Sequence, residues 1–237
     1  MTVLESSLRS SRKGSPQIPV IQPDPRYFVL DLSPEHRPEL KKMKPRYLFV
    51  AESPHIQEVE PEKEALRRPL CGAAGKQWWS KMVKVLGGSL TRSGDSDLDL
   101  SAQSLMAFCL EHKLVVMNAV QYPLDPKVAQ RFPAADPAKN LGFNKVSGPY
   151  SFKKRKDSVE VLAALESLKN RLNHPSVRHL PIYSLGNDSE WLVLRALGVS
   201  EAETRYAGKI PHPAAWWRRG GWFGEVAEEK LKALFSA

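Results

Sequence analysis

Four short polar segments in this chain each follow an apolar run and carry side chains able to do chemistry. They are Glu52-Ser53-Pro54-His55, Asn118-Ala119-Val120-Gln121, Gly186-Asn187-Asp188 and Pro211-His212-Pro213. A carboxylate such as Glu52 can position a water or offset positive charge. An amide such as Asn118 donates and accepts at once, so it can address adjacent donor and acceptor atoms of a polar ring. A neutral imidazole such as His212 can donate to an oxygen on which negative charge grows. Pro211 and Pro213 stiffen its backbone, and the proline that follows drives His212 towards extended geometry. Each residue also has a plainer role open to it. Glu52 can tie down neighbouring backbone, Asn118 can close an Asx turn, and His212 can cap a loop.

The apolar runs are the strands that would position these groups. Tyr47-Leu48-Phe49-Val50-Ala51 is short, continuous and apolar, as expected of a strand covered on both faces. Leu114-Val115-Val116-Met117 is a second, 180–185 a third with Pro181 at its start, and 205–210 a weaker fourth. Helical spacing of apolar residues marks 75–86, 101–112 and 157–172, the last with Asp157 as N-cap. Further helices are predicted at 187–197, ended by Gly198, and at 222–235. Strands alternating with helices predict an α/β fold, a three-layer α/β/α sandwich around a central four-stranded, mainly parallel sheet. Ligands of such sheets bind beyond the carboxyl ends of the strands, which is where the four polar segments fall. Residues 1–25 read as a flexible basic arm and 26–237 as the α/β domain. The Pro-, Asn- and Lys-rich stretch 121–156 reads as a long functional or disordered loop.

Composition narrows the partners. Lys plus Arg exceed Asp plus Glu by 35 to 26 in 237 residues, a net charge of +9, and such an excess favours a polyanion. No apolar run approaches the length needed to span a bilayer and the first residues do not read as a secretory signal, so a cytoplasmic protein with no membrane partner is expected. Cys71 and Cys109 are too few for a disulfide framework or a four-cysteine cluster, and they read as core residues. The histidines are scattered without a His-Glu-x-x-His pair, so neither a metal nor another cofactor is expected. Phosphate-loop, dinucleotide-binding and serine-hydrolase elbow motifs are missing.

Taken in order, the polar segments resemble the uracil-DNA glycosylase superfamily. LFVAESPHIQE followed by RRPLCGAAGKQWW resembles its first motif, nearest the branches reading G-E-A-P-G and then P-F-x-G-x-A-G. VVMNAVQYP resembles the strand ending in a base-reading Asn, YSLGNDSEWL the strand and helix carrying Leu-Gly, and IPHPAAWWRR the terminal His-Pro motif with its DNA-inserting loop. The resemblance covers 47–219 and implies a monomeric DNA-base glycosylase of base excision repair. Such an enzyme hydrolyses the N-glycosidic bond of a flipped-out damaged base, uracil foremost. It implies Glu52 and His212 as catalytic residues and Asn118 as the reader of the base. Ser53, His55 and Leu70 would line the pocket, and Trp216, Trp217, Arg218 and Arg219 would meet the duplex, with one tryptophan buried and one exposed. The basic run of Lys153, Lys154, Arg155 and Lys156 would track the backbone or simply be solvated. The chain departs from the pattern in four places. Ser53 stands where some branches hold a water-activating Asp, His55 where one holds Tyr, and Leu70 where the family stacks a Phe on the base. The cysteines of the iron–sulfur branches are missing. Two other readings stay open: a DNA-binding module of the same fold with catalysis weakened or lost, and a hydrolase of nucleosides or free small bases.

Overall fold

The computed structural model describes residues 28–59, 66–88, 90, 98–122 and 159–236. The arm predicted at 1–25, most of the 121–156 stretch, the 153–156 basic run and the Asp157 cap lie outside the described residues.

Four parallel strands form the sheet: β1 (Tyr47–Ala51), β2 (Leu114–Asn118), β3 (Ile182–Leu185) and β4 (Tyr206–Ile210), in the order β2-β1-β3-β4. Every residue of β2 and all but the first of β1 are buried, which is why both read as unbroken apolar runs. Beyond β2, Leu32 makes an antiparallel bridge to Val116, so residues near 28–33 cover the outer edge of that strand.

Helices lie on both faces, giving an α/β sandwich. Between β1 and β2 come the short α1 (Ile56–Val59), then α2 (Ala73–Leu86) and α3 (Ala102–His112). In α2 the 3.6-residue period places Trp78, Trp79 and Met82 on the buried face. Phe49 of β1 meets Trp78 edge-on at 5.1 Å between ring centroids, and Trp79 meets Phe108 of α3 at 6.0 Å. Ser101 caps α3 by accepting from the Ser104 N–H. The final helix, α6 (Trp222–Phe235), packs beside α2 and brings Phe235 to Tyr47 at 4.8 Å.

The other layer is α4 (Val159–Leu172) and α5 (Asn187–Arg205), packed on each other. Arg205 of α5 donates to the Leu172 carbonyl at the end of α4, 3.0 Å away. The Ser189 hydroxyl in the first turn of α5 donates to the Val50 carbonyl of β1 at 2.6 Å. Gly198 ends the first helical stretch of α5, as the sequence predicts. It takes φ 73 and ψ 175, a local break, and helical residues resume to Arg205. A glycine admits the left-handed φ, and the apolar face resumes beyond it with Ala202 packed on the core, so the chain turns without leaving the layer.

Candidate active site

The exits of the strands set the geometry. Ala51 pairs with Asn118, the Ala119 N–H donates to the Ala51 carbonyl at 2.7 Å, and the Val120 N–H donates to the Glu52 carbonyl at 2.9 Å. Glu52 and Asn118 therefore leave neighbouring strands side by side. On the other flank Leu185 pairs with Ile210, and the Gly186 N–H donates to the Ile210 carbonyl at 2.9 Å. Gly186 has φ +92, and a Cβ there would stand 2.8 Å from the His212 Cβ. Only glycine permits both the turn and the close approach of His212. Along the carboxyl edge the order is Asn118, Glu52, Gly186, His212. Three inter-strand gaps separate the first from the last, roughly 14 Å of backbone. The chain steps from β1 to β2 on one side and later to β3 on the other, so Glu52 and Gly186 flank the crevice where α/β sheets bind ligands.

Asn118 is fully buried, and among the described residues neither atom of its side-chain amide has a hydrogen-bond partner. Its backbone is the opposite case. The Asn118 N–H donates to Asp31 Oδ1 at 3.2 Å, and its carbonyl accepts from Arg171 Nη1 at 2.8 Å. Arg171 Nη2 donates to the Ala119 carbonyl at 2.7 Å, and Nη1 also meets Asp31 Oδ2 at 3.0 Å. His36 Nδ1 lies 3.3 Å from the same Asp31 oxygen. Burial works against the Asp31 charge, yet Arg171 and His36 together hold its pKa below the ordinary value.

Glu52 is half-buried, and its pKa is pushed up to about 8, first by burial and then by the negative charge of Asp188 in the first turn of α5. At neutral pH the free protein thus holds Glu52 mainly as the acid, ready to ionise beside a growing positive charge. His212 takes φ -63 and ψ 134, the extended conformation that the following proline favours. Its Nδ1 accepts from the Ala214 N–H at 3.2 Å, so the ring proton of the neutral form sits on Nε2. Burial and the nearby Arg218 charge lower its pKa, which keeps the ring neutral.

Ser53 is half-buried and His55 exposed, its side chain lying over Gly72 with Cβ 3.2 Å and the nearest ring atom 3.3 Å from where a Gly72 Cβ would stand. Leu70 is buried among core residues with φ 59, a left-handed conformation that costs a branched side chain energy. Two contacts hold it. The Trp79 indole N–H donates to the Leu70 carbonyl at 2.8 Å, and Gly75 lies so close that a Cβ would stand 1.8 Å from that oxygen. The buried Glu58 accepts from the Gly72 N–H at 3.5 Å, and burial pushes its pKa up to about 7 against the pull of neighbouring backbone N–H groups. Cys71 is half-buried and Cys109 buried, with the Cys71 thiol pushed up to about 12, so neither is a nucleophile at neutral pH.

After His212 the chain forms two short 3-10 turns, Pro213–Ala215 and Arg218–Gly221. The two adjacent tryptophans divide as the sequence predicts: Trp216 is 5% exposed and Trp217 68% exposed. Trp216 lies tilted against Trp78, ring centroids 6.3 Å apart, and donates its indole N–H to the Pro211 carbonyl at 2.9 Å. It anchors the segment in the core, so Trp216 is corrected from a surface contact residue to a packing residue. Trp217, Arg218 and Arg219 are exposed, with Arg218 over the Trp217 ring at 5.8 Å.

Asp31, Arg171 and Glu58 are the groups that sequence reasoning missed. Asp31 is a lone carboxylate inside the apolar run Phe28-Val29-Leu30-Asp31-Leu32, Glu58 sits in ordinary polar surroundings, and Arg171 in the last turn of α4 reads as a generic basic helix end. Asp188 was legible as part of the polar segment after β3, though its effect on Glu52 was not. Among the described residues no group of three or more His, Cys, Asp or Glu side chains could hold a metal ion, and no helix is long and apolar enough to cross a membrane. In comparisons with known proteins, no family model and no curated protein matches the chain.

Proposed function

We propose that the protein is a DNA-base glycosylase that hydrolyses the N-glycosidic bond of a base flipped into the carboxyl edge of the sheet. The observation that carries the reading is the buried amide of Asn118, unpartnered among the described residues, on the same edge as Glu52 and a neutral His212. A buried amide without partners is destabilising unless something polar meets it. A base edge with adjacent donor and acceptor atoms matches it, as uracil's does. Bond breaking leaves positive charge on the sugar and negative charge on the base. The His212 Nε2–H is suited to donate to a base oxygen as that charge grows. Glu52, once ionised, offsets the sugar cation, orients the water whose oxygen bonds to the anomeric carbon as the C–N bond breaks, and accepts that water's proton, while the base leaves with the bonding electron pair. Trp217, Arg218 and Arg219 beside His212 supply an exposed aromatic and two cations suited to a flipped-nucleotide gap and its phosphates.

Leu70 and the high pKa of Glu52 favour a second reading, a DNA-binding protein of weak or absent catalysis. Single-turnover assays on duplexes carrying uracil, hypoxanthine or xanthine separate the two. Abasic product that disappears in H212A and E52A supports the enzyme. Salt-sensitive duplex retention with no product on any base supports the binding protein.

A further inference from the structure

We infer that Arg171, clamped to Asp31, is the positioning residue that aims the Asn118 amide; the inference rests on the base-reading role proposed above for Asn118. In a parallel sheet the backbone groups of successive residues point to opposite neighbours. Ala119 turns its N–H towards β1, so the N–H and carbonyl of Asn118 point outward, past the last strand of the sheet. One bridge, Leu32 to Val116, occupies that outer edge just before Asn118. At Asn118 itself side chains replace the strand: Asp31 takes the N–H and Arg171 takes the carbonyl.

The arrangement does more than satisfy backbone. The planar guanidinium forks across two successive carbonyls, those of Asn118 and Ala119, and so fixes the peptide plane between them. That plane and the N–H held by Asp31 together set the direction of the Asn118 Cα–Cβ bond. Arg171 is itself held rigidly, between the fully buried Leu168 and Leu172 of α4, whose end is tied to α5 through Arg205. A neutral strand continuing past Val116 would satisfy the same backbone groups without the desolvation that a buried ion pair entails. Instead the buried pair grips a residue whose own side-chain amide has neither of its polar atoms partnered among the described residues.

The test uses Arg171→Lys in the full chain. An ammonium keeps the charge opposite Asp31 but cannot fork across two carbonyls. The side-chain amide pair of Asn118 is assigned in a proton–nitrogen NMR spectrum by its loss in N118A. In R171K we expect a folded protein with a lowered thermal midpoint, because one buried carbonyl loses its donor, and a shifted or broadened Asn118 amide pair. The single-turnover rate should fall roughly tenfold to a hundredfold, with duplex affinity, set by the exposed arginines, unchanged. The neutral pair D31N/R171M removes both charges together and should move the same amide signal, which covers the case in which R171K fails to fold. An Asn118 signal that stays in place in a folded R171K or D31N/R171M overturns the inference. If the parent excises no base, the proposed activity falls, and the amide signal still decides the positioning role.

Discussion

Glu52 offers a measurement that needs no substrate. Its carboxyl moves from 4.5 to about 8 on folding because burial and Asp188 both disfavour its charge. Between those pH values the folded protein binds more protons than the unfolded chain, so stability must fall as pH rises. Its contribution is fully present below about pH 4.5 and is lost as pH passes through about 8. At about 1.4 kcal/mol per tenfold change in the ionisation constant, the full displacement corresponds to about 5 kcal/mol, an upper bound. The side chain retains contact with solvent, and screening and local relaxation lower the expectation to about 2 kcal/mol. Glu58 titrates in the same direction up to about 7, so the parent curve alone mixes the two. Glu52→Gln separates them, because glutamine is neutral at every pH and leaves Glu58 in place. Urea denaturation of parent and E52Q from about pH 5 to pH 9 gives the difference. The variant should gain about 2 kcal/mol on the parent across that range, most of it below and around pH 8, with parallel m-values. Asp188→Asn should shift the midpoint of the difference curve to lower pH. Parent and E52Q curves that stay parallel across the range would refute both the burial of Glu52 and its coupling to Asp188.

Four further outcomes follow from contacts described above. Trp216→Ala should cost about 3 kcal/mol of stability by emptying a space against Trp78, read by urea denaturation. Trp217→Ala should change stability by under about 0.5 kcal/mol yet weaken retention of a uracil-containing duplex in fluorescence anisotropy. Gly75→Ala should destabilise by about 3 kcal/mol, because its Cβ would meet the Leu70 carbonyl at 1.8 Å, whereas Ala at Gly87, which has open space and φ +78, should show only the smaller backbone strain. The His212 ring, titrated by NMR, should remain neutral to a lower pH than an ordinary histidine, and Arg218→Gln should move its pKa upward.

Local pattern was enough for much of this molecule. The run Tyr47–Ala51 is apolar without a break because a strand buried on both faces has no solvent side to encode, and the structure forms β1 there. Apolar spacing likewise marked α6 over Trp222–Phe235, and the paired prolines marked the extended backbone of His212. The polar residues that follow strands were legible for the same reason: apolar runs stop where strands leave the core. What tertiary structure alone decided is which exits become neighbours. The order β2-β1-β3-β4 sets Asn118 beside Glu52, and Gly186 beneath His212, through pairings between residues far apart in the chain. The Asp31–Arg171 clamp spans 140 residues, and the raised pKa of Glu52 comes first from burial by the fold and then from Asp188 far along the chain. Charge and burial at those positions come from what the fold brings around them, and a single residue's type and its immediate neighbours carry no record of that.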